Sequence, residues 1–260
     1  MRLIHSSSDA ILLAVGVALS ISALGCTREP LAPEPLLVFA AASAAGIVEE
    51  LGREFERETG IPVRVNAGSS SLLAKQIEEG ARADLFLCAH VEWLEHLARA
   101  GCLDPAESRL FARNSLVIVA APGGPERLPE PPALPERIAV GDPAHVPVGM
   151  YAEEALESFG RWESWSPRLL PALDASAAVE YVRRGEAPFG IVYRTDARAH
   201  PELRVVEEID PRRHAPIELR LAPIRGGDPR AARLLEHLTS PAVRARLAER
   251  GFLPGEEPAG

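Results

Sequence analysis

Residues 36–65 read LLVFAAASAAGIVEELGREFERETGIPVRV. The apolar run at 36–40 has the length of a buried strand, and residues 44–58 form an amphipathic helix closed by Gly60. Residues 61–65 are strand-like again. The same unit then repeats: helix 71–79 stopped by Gly80, strand 84–88, helix 91–100 stopped by Gly101 and strand 116–120. After a Pro-rich stretch at 122–135, expected to be a surface loop, the pattern restarts with strand 137–140 and helices 151–159 and 177–184. Strands 189–193, 203–206 and 218–222 follow, then helices 231–238 and 241–250. Strand–helix units of this length predict an α/β fold with mostly parallel sheet, in two halves.

The chain of 260 residues is long enough for one large domain or two small ones flanking a cleft. With 28 Lys+Arg against 37 Asp+Glu it carries a net −9, which argues against a nucleic-acid or anionic-membrane surface. Lys75 is the only lysine. Three cysteines exclude a disulfide scaffold and a four-cysteine zinc site.

Residues 10–25 are an uncharged apolar or small-residue run, too short for the roughly 20 residues of a bilayer span but suited to a signal-peptide core. The run ends Ser22-Ala23-Leu24-Gly25-Cys26. This resembles a bacterial lipobox, in which Cys26 would be lipidated; ordinary cleavage at a small-x-small site also fits. Residues 1–25 are therefore expected to be a signal peptide, 26–35 a Pro-rich tether and 254–260 a disordered tail. Cys88 and Cys102 flank a helix of about ten residues, roughly 15 Å long, so they are expected to stay unpaired.

Four strand-to-helix junctions carry small or hydroxyl residues: Ala42-Ser43, Ser69-Ser70, Pro147-Val148-Gly149 and Asp174-Ala175-Ser176. At the carboxyl edge of an α/β sheet such junctions offer unpaired N–H groups and the positive ends of helix dipoles to an anion. A single serine there is ordinary capping; four junctions shared between two halves point to a ligand. Tyr193, ending strand 189–193, could add a hydroxyl, although a half-buried strand-end tyrosine is the plainer reading.

Enzymatic signatures fail. Ser71 and Lys75 are four apart rather than three, and G-x-S-x-G, H-E-x-x-H and the phosphate-binding loop motif are missing. His90 and His96 read as solvated surface histidines and His145 as a turn residue. No enzymatic activity, cofactor or directly coordinated metal cation is expected.

Several of these stretches resemble the periplasmic molybdate-binding proteins of bacterial ABC importers. They are Val38-Phe39-Ala40-Ala41-Ala42-Ser43, Gly68-Ser69-Ser70-Ser71 with Ala74-Lys75-Gln76-Ile77-Glu78, and Ala83-Asp84-Leu85-Phe86. Asn114-Ser115-Leu116-Val117, Gly141-Asp142-Pro143-Ala144-His145-Val146-Pro147, Tyr151-Ala152 with Glu154-Ala155-Leu156, and Gly190-Ile191-Val192-Tyr193 continue the match in order. The resemblance implies a type II periplasmic-binding-protein fold: two α/β lobes, 36–114 with 218–253 and 115–217, with a hinge and an interlobe cleft. It implies oxyanion contacts at Ser43, Ser70, the Val148 and Ala175 amides, and Tyr193. The implied ligand is molybdate, with tungstate beside it. The implied partner is an ABC permease, with the chain monomeric and exported; a lipid on Cys26, read from the lipobox-like run, would be its only membrane attachment and departs from the family in location. Cys88 and the 122–135 loop depart from the family pattern. Two alternatives stand beside this reading: a binding protein for another oxyanion such as sulfate, and a secreted hydrolase using one of Ser69 to Ser71.

Overall fold

A computed structural model describes residues 33–130 and 136–253. The expected signal peptide, Cys26, most of the tether, residues 131–135 of the Pro-rich loop and the tail lie outside the described residues. The elements run β1 (Leu36–Ala41), α1 (Ala42–Thr59), β2 (Val63–Gly68), α2 (Ser70–Glu78), β3 (Leu85–Cys88), α3 (Val91–Arg99), β4 (Arg109–Arg113) and β5 (Leu116–Ala120). They continue β6 (Ile138–Gly141), α4 (Pro147–Ser158), α5 (Trp162–Trp165), β7 (Leu169–Ala172), α6 (Ala175–Arg183), β8 (Phe189–Tyr193), α7 (Arg194–Ala199) and β9 (Arg204–Glu208). The last are β10 (Glu218–Pro223), α8 (Ala231–Leu238) and α9 (Pro241–Glu249).

Two five-stranded sheets result, ordered β2-β1-β3-β10-β4 and β7-β6-β8-β5-β9. The chain passes from the first to the second between β4 and β5 and returns between β9 and β10. Both sheets are mixed, where the sequence predicts mostly parallel ones. β1 runs parallel to β2 and β3, and β6 to β7 and β8. β10 is antiparallel to β3 and β4, and β5 to β8 and β9. The antiparallel members are the strands that enter from the other lobe. They arrive without a helical crossover, so nothing forces the parallel sense a βαβ unit imposes.

Each sheet is covered on both faces. Leu51 and Phe55 of α1 and Leu234 of α8 pack against one face of the first sheet, within a core cluster that continues into the second lobe through Ile118, Val140 and Tyr151. Leu73, Ile77, Leu94 and Leu97 of α2 and α3 cover the other face. Ala178, Val179 and Val182 of α6 close the far face of the second sheet. Each large aliphatic side chain so buried contributes on the order of 1.5–3 kcal/mol.

The helices begin earlier than their apolar periodicity indicates. α1 starts at Ala42 rather than 44, α4 at Pro147 rather than 151, and α6 at Ala175 rather than 177. Among these extra first-turn residues Ala42, Ser43, Pro147, Val148 and Ala175 line the cleft, and Val148 and Ala175 are part of the buried core as well. β2 begins at Val63 because Pro62 supplies only its carbonyl, to Leu36 N, at 2.8 Å. β4, β7, α5 and α7 have no counterpart among the expected elements; β7 reads Leu-Leu-Pro-Ala, and its proline masks a strand.

Candidate functional site

Ser43, Ser70, Val148, Ala175 and Tyr193 all line one cavity where the lobes meet, joined by Ser69, Ala89 and Asp174. The cavity is small, its free space about 210 Å³ with the open mouth included. No lysine or arginine is among the described residues lining it.

Four helices start at its wall, and in each the first-turn N–H groups are disposed of differently. Ala41, which precedes α1, has no capping side chain, so the N–H groups around Ser43 have no side-chain acceptor. Ser69 caps α2 by accepting from Leu72 N at 3.3 Å, leaving Ser70 N–H outside the cap. In α4, Pro147 has no N–H, while Gly149 N and Met150 N both donate to Val146 O, at 2.8 and 3.0 Å. Val148 N–H is what remains. Asp174 caps α6 through Oδ1 to Ala177 N at 2.8 Å, and the Ala175 N–H is left free in the same way. Each N-terminus adds the equivalent of roughly half a positive charge.

α4 reaches this position because two glycines let it close on β6. A Cβ on Gly149 would lie 2.0 Å from Gly141 O, and one on Gly141 would lie 2.7 Å from Val148 Cγ1. With side chains there, the segment carrying Val148 would be driven off the end of the strand.

The hydroxyls divide by duty. Ser69 Oγ and Ser71 Oγ hydrogen-bond each other at 3.0 Å. Ser70 is fully buried and its Oγ accepts from Ala89 N at 3.0 Å, a bond that does not use the hydroxyl's own proton. None of the three is hydrogen-bonded to a histidine, lysine or carboxylate among the described residues, as an activated nucleophile would be. Tyr193 is buried and its hydroxyl has no hydrogen-bond partner among the described residues. Burial, reinforced by neighbouring Tyr151 and Asp196, holds that phenol well above its ordinary range, so it stays a donor.

One carboxylate, Asp174, stands in the lining, where the sequence reading names donors only. A second, Asp196 of α7, has a buried and unpartnered Oδ2 although part of the residue reaches solvent. Burial pushes its pKa up to about 7, against a lowering hydrogen bond from the Tyr193 backbone and with a further rise from Asp174.

His90 is corrected by the structure. It is 5% exposed rather than solvated, its Nδ1 accepts from Glu92 N, and its ring lies 4.7 Å from that of Tyr151 across the lobes. Burial lowers its pKa. Part of what covers the ring, Tyr151, comes from the second lobe, which local sequence does not record. His96 does sit at the surface, bonded to Glu78, and His145 lies in a turn. Cys88 and Cys102 are both free; the Cys88 thiol is buried, pushed up to about 12, and donates to His90 O. No cluster of three metal-ligating side chains occurs among the described residues, and no helix there is long and apolar enough to cross a membrane.

A family model described as bacterial extracellular solute-binding protein matches residues 36–253. The chain is 38% identical to the molybdate-binding protein ModA of Escherichia coli over 82% of its own length and 86% of that protein. It is 33% identical to the molybdate-binding protein ModA of Haemophilus influenzae, over 92% and 96%. In fold it is similar to the periplasmic molybdate-binding protein of Azotobacter vinelandii, with a TM-score of 0.75 at 21% identity, covering 85% of this chain and all of that one.

Proposed function

Because the chain belongs to the bacterial extracellular solute-binding protein family, we propose that it captures molybdate, and tungstate with it, between its two lobes and hands the ion to an ABC importer permease. The observation that carries the reading is a cleft lined by unspent donors from both lobes with no cationic side chain among its described lining.

Ser43 and Ser70 supply hydroxyls from the first lobe. The Val148 and Ala175 N–H groups and the Tyr193 hydroxyl come from the second. A dianion touching all five bridges the lobes and favours their closed arrangement. Molybdate is fully ionised at neutral pH and needs only donors. Phosphate carries a proton that needs an acceptor, and Asp174 Oδ1 is already engaged as a helix cap. Where only hydroxyl and N–H donors meet the anion, that O–H is left unpaired and phosphate is disfavoured. Sulfate matches molybdate in charge, so cavity size must separate them. Export follows from the signal-like run before Cys26, and a lipid on Cys26 would keep the protein beside its permease.

Thermal unfolding with added molybdate, tungstate, sulfate or phosphate tests the reading, since a ligand raises stability according to its affinity. Molybdate and tungstate should raise the midpoint most and phosphate least. A midpoint unmoved by molybdate, or moved equally by phosphate, would remove it.

A further inference from the structure

We infer that Trp93 is a latch on the closed cleft: a positioning residue that holds the His145 carbonyl and thereby keeps the Val148 N–H on the bound anion. The inference rests on the reading of the cavity as an interlobe anion site.

Trp93 belongs to α3 in the first lobe, and its indole Nε1 donates to His145 O in the second at 3.0 Å. His145 lies in a turn pinned by Asp142, whose carbonyl accepts from His145 N and Val146 N and whose Oδ1 accepts from Ala144 N. Val148 comes three residues later, as the second residue of α4. A pull on the His145 carbonyl is therefore a pull on the residue whose N–H faces the cavity. The indole is itself held: it stands edge-on to His96 at 5.5 Å, and His96 Nε2 is bonded to Glu78 of α2 at 2.8 Å. At the other end of α4, Ser158 O accepts from Arg213 in the segment returning to the first lobe. The crossing segment thus ties down the C-terminal end of α4, and Trp93 ties down the end at the anion.

When the lobes part, indole and carbonyl both return to water, so the bond stabilises only the closed complex. A neutral hydrogen bond of this kind corresponds to roughly a 2- to 13-fold change in affinity. Its loss should act on release rather than capture.

The test follows exchange of radiolabelled molybdate against unlabelled molybdate in the wild type, Trp93→Phe and Ser43→Ala. Hydrogen exchange at the Trp93 indole N–H of the wild type is measured with and without molybdate. The latch requires Trp93→Phe to speed dissociation about 2- to 13-fold with association and ligand-free melting unchanged, and it requires molybdate to slow the indole exchange. If Ser43→Ala weakens binding while the Phe variant releases molybdate at the wild-type rate and the indole exchange is indifferent to ligand, the latch is overturned and the anion site stands. If neither variant alters binding, the anion site falls and takes the latch with it. The indole measurement decides the matter even if the Phe variant does not fold.

Discussion

Tyr193 presents a phenol that folding has removed from water and left without a hydrogen-bond partner among the described residues. Replacing it by Phe deletes an unsatisfied buried group, so the ligand-free protein should melt no lower than the wild type. The same change removes a charge-assisted bond to the anion, worth roughly 1.5–3 kcal/mol, and should weaken molybdate binding about 10- to 150-fold by calorimetry. A drop in ligand-free stability with unchanged affinity would mean that the hydroxyl has a structural role instead. Asp196 makes the second argument at this scale. Its pKa rises from about 3.9 in an unfolded chain to about 7 in the fold, so folding favours its protonated form. The stabilising contribution is complete below the unfolded value and is lost as pH rises through 7. Asp196→Asn keeps an acceptor for the Tyr193 backbone and cannot ionise. It should raise the melting temperature at pH 8 and lose that advantage by about pH 4. An equal gain at both pH values would refute the assignment.

At the scale of elements, the site is made of helix beginnings, and their placement depends on how closely helix and sheet approach. Gly149 and Gly46 are both helical glycines in opposite circumstances. A Cβ at Gly46 would touch nothing within 4 Å, whereas one at Gly149 would strike the backbone of β6. Gly46→Ala should therefore be neutral or stabilising by about 0.5–1 kcal/mol. Gly149→Ala should displace the first turn of α4, costing on the order of 1–3 kcal/mol of stability and lowering molybdate affinity in samples kept well below their melting point. Affinity preserved in the second variant would show that the Val148 N–H does not need this packing. The four N-termini also explain how a chain of net −9 can hold a dianion: the attraction is local, from N–H groups at contact distance.

For the whole molecule, the five proposed contacts lie on two lobes, between which the chain passes at 114–115 and 209–217. Neither lobe alone presents all of them, so binding and closure are one equilibrium. Small-angle scattering should show the radius of gyration falling when molybdate is added to the ligand-free protein. The fall should be absent in a variant lacking both the Ser43 and Ser70 hydroxyls, and a radius indifferent to molybdate in the wild type would count against bridging. His90 and Trp93 belong to this scale, because each makes a contact with the opposite lobe.

What the sequence determined by itself is local. Short apolar runs and amphipathic stretches marked most strands and helices, and Ser43, Ser70, Val148, Ala175 and Tyr193 could be singled out from junction chemistry together with family resemblance. Strand sense, the true helix starts and the burial of His90 were decided only by tertiary structure. Strand sense depends on whether a segment arrives by a helical crossover or from the other lobe, which no window of residues records. A first turn facing a cleft carries no apolar repeat to betray it. The placement of the Val148 N–H was decided there as well: it stands beside the two bonds that Gly149 and Met150 donate to Val146, where two glycines let the helix rest on a strand.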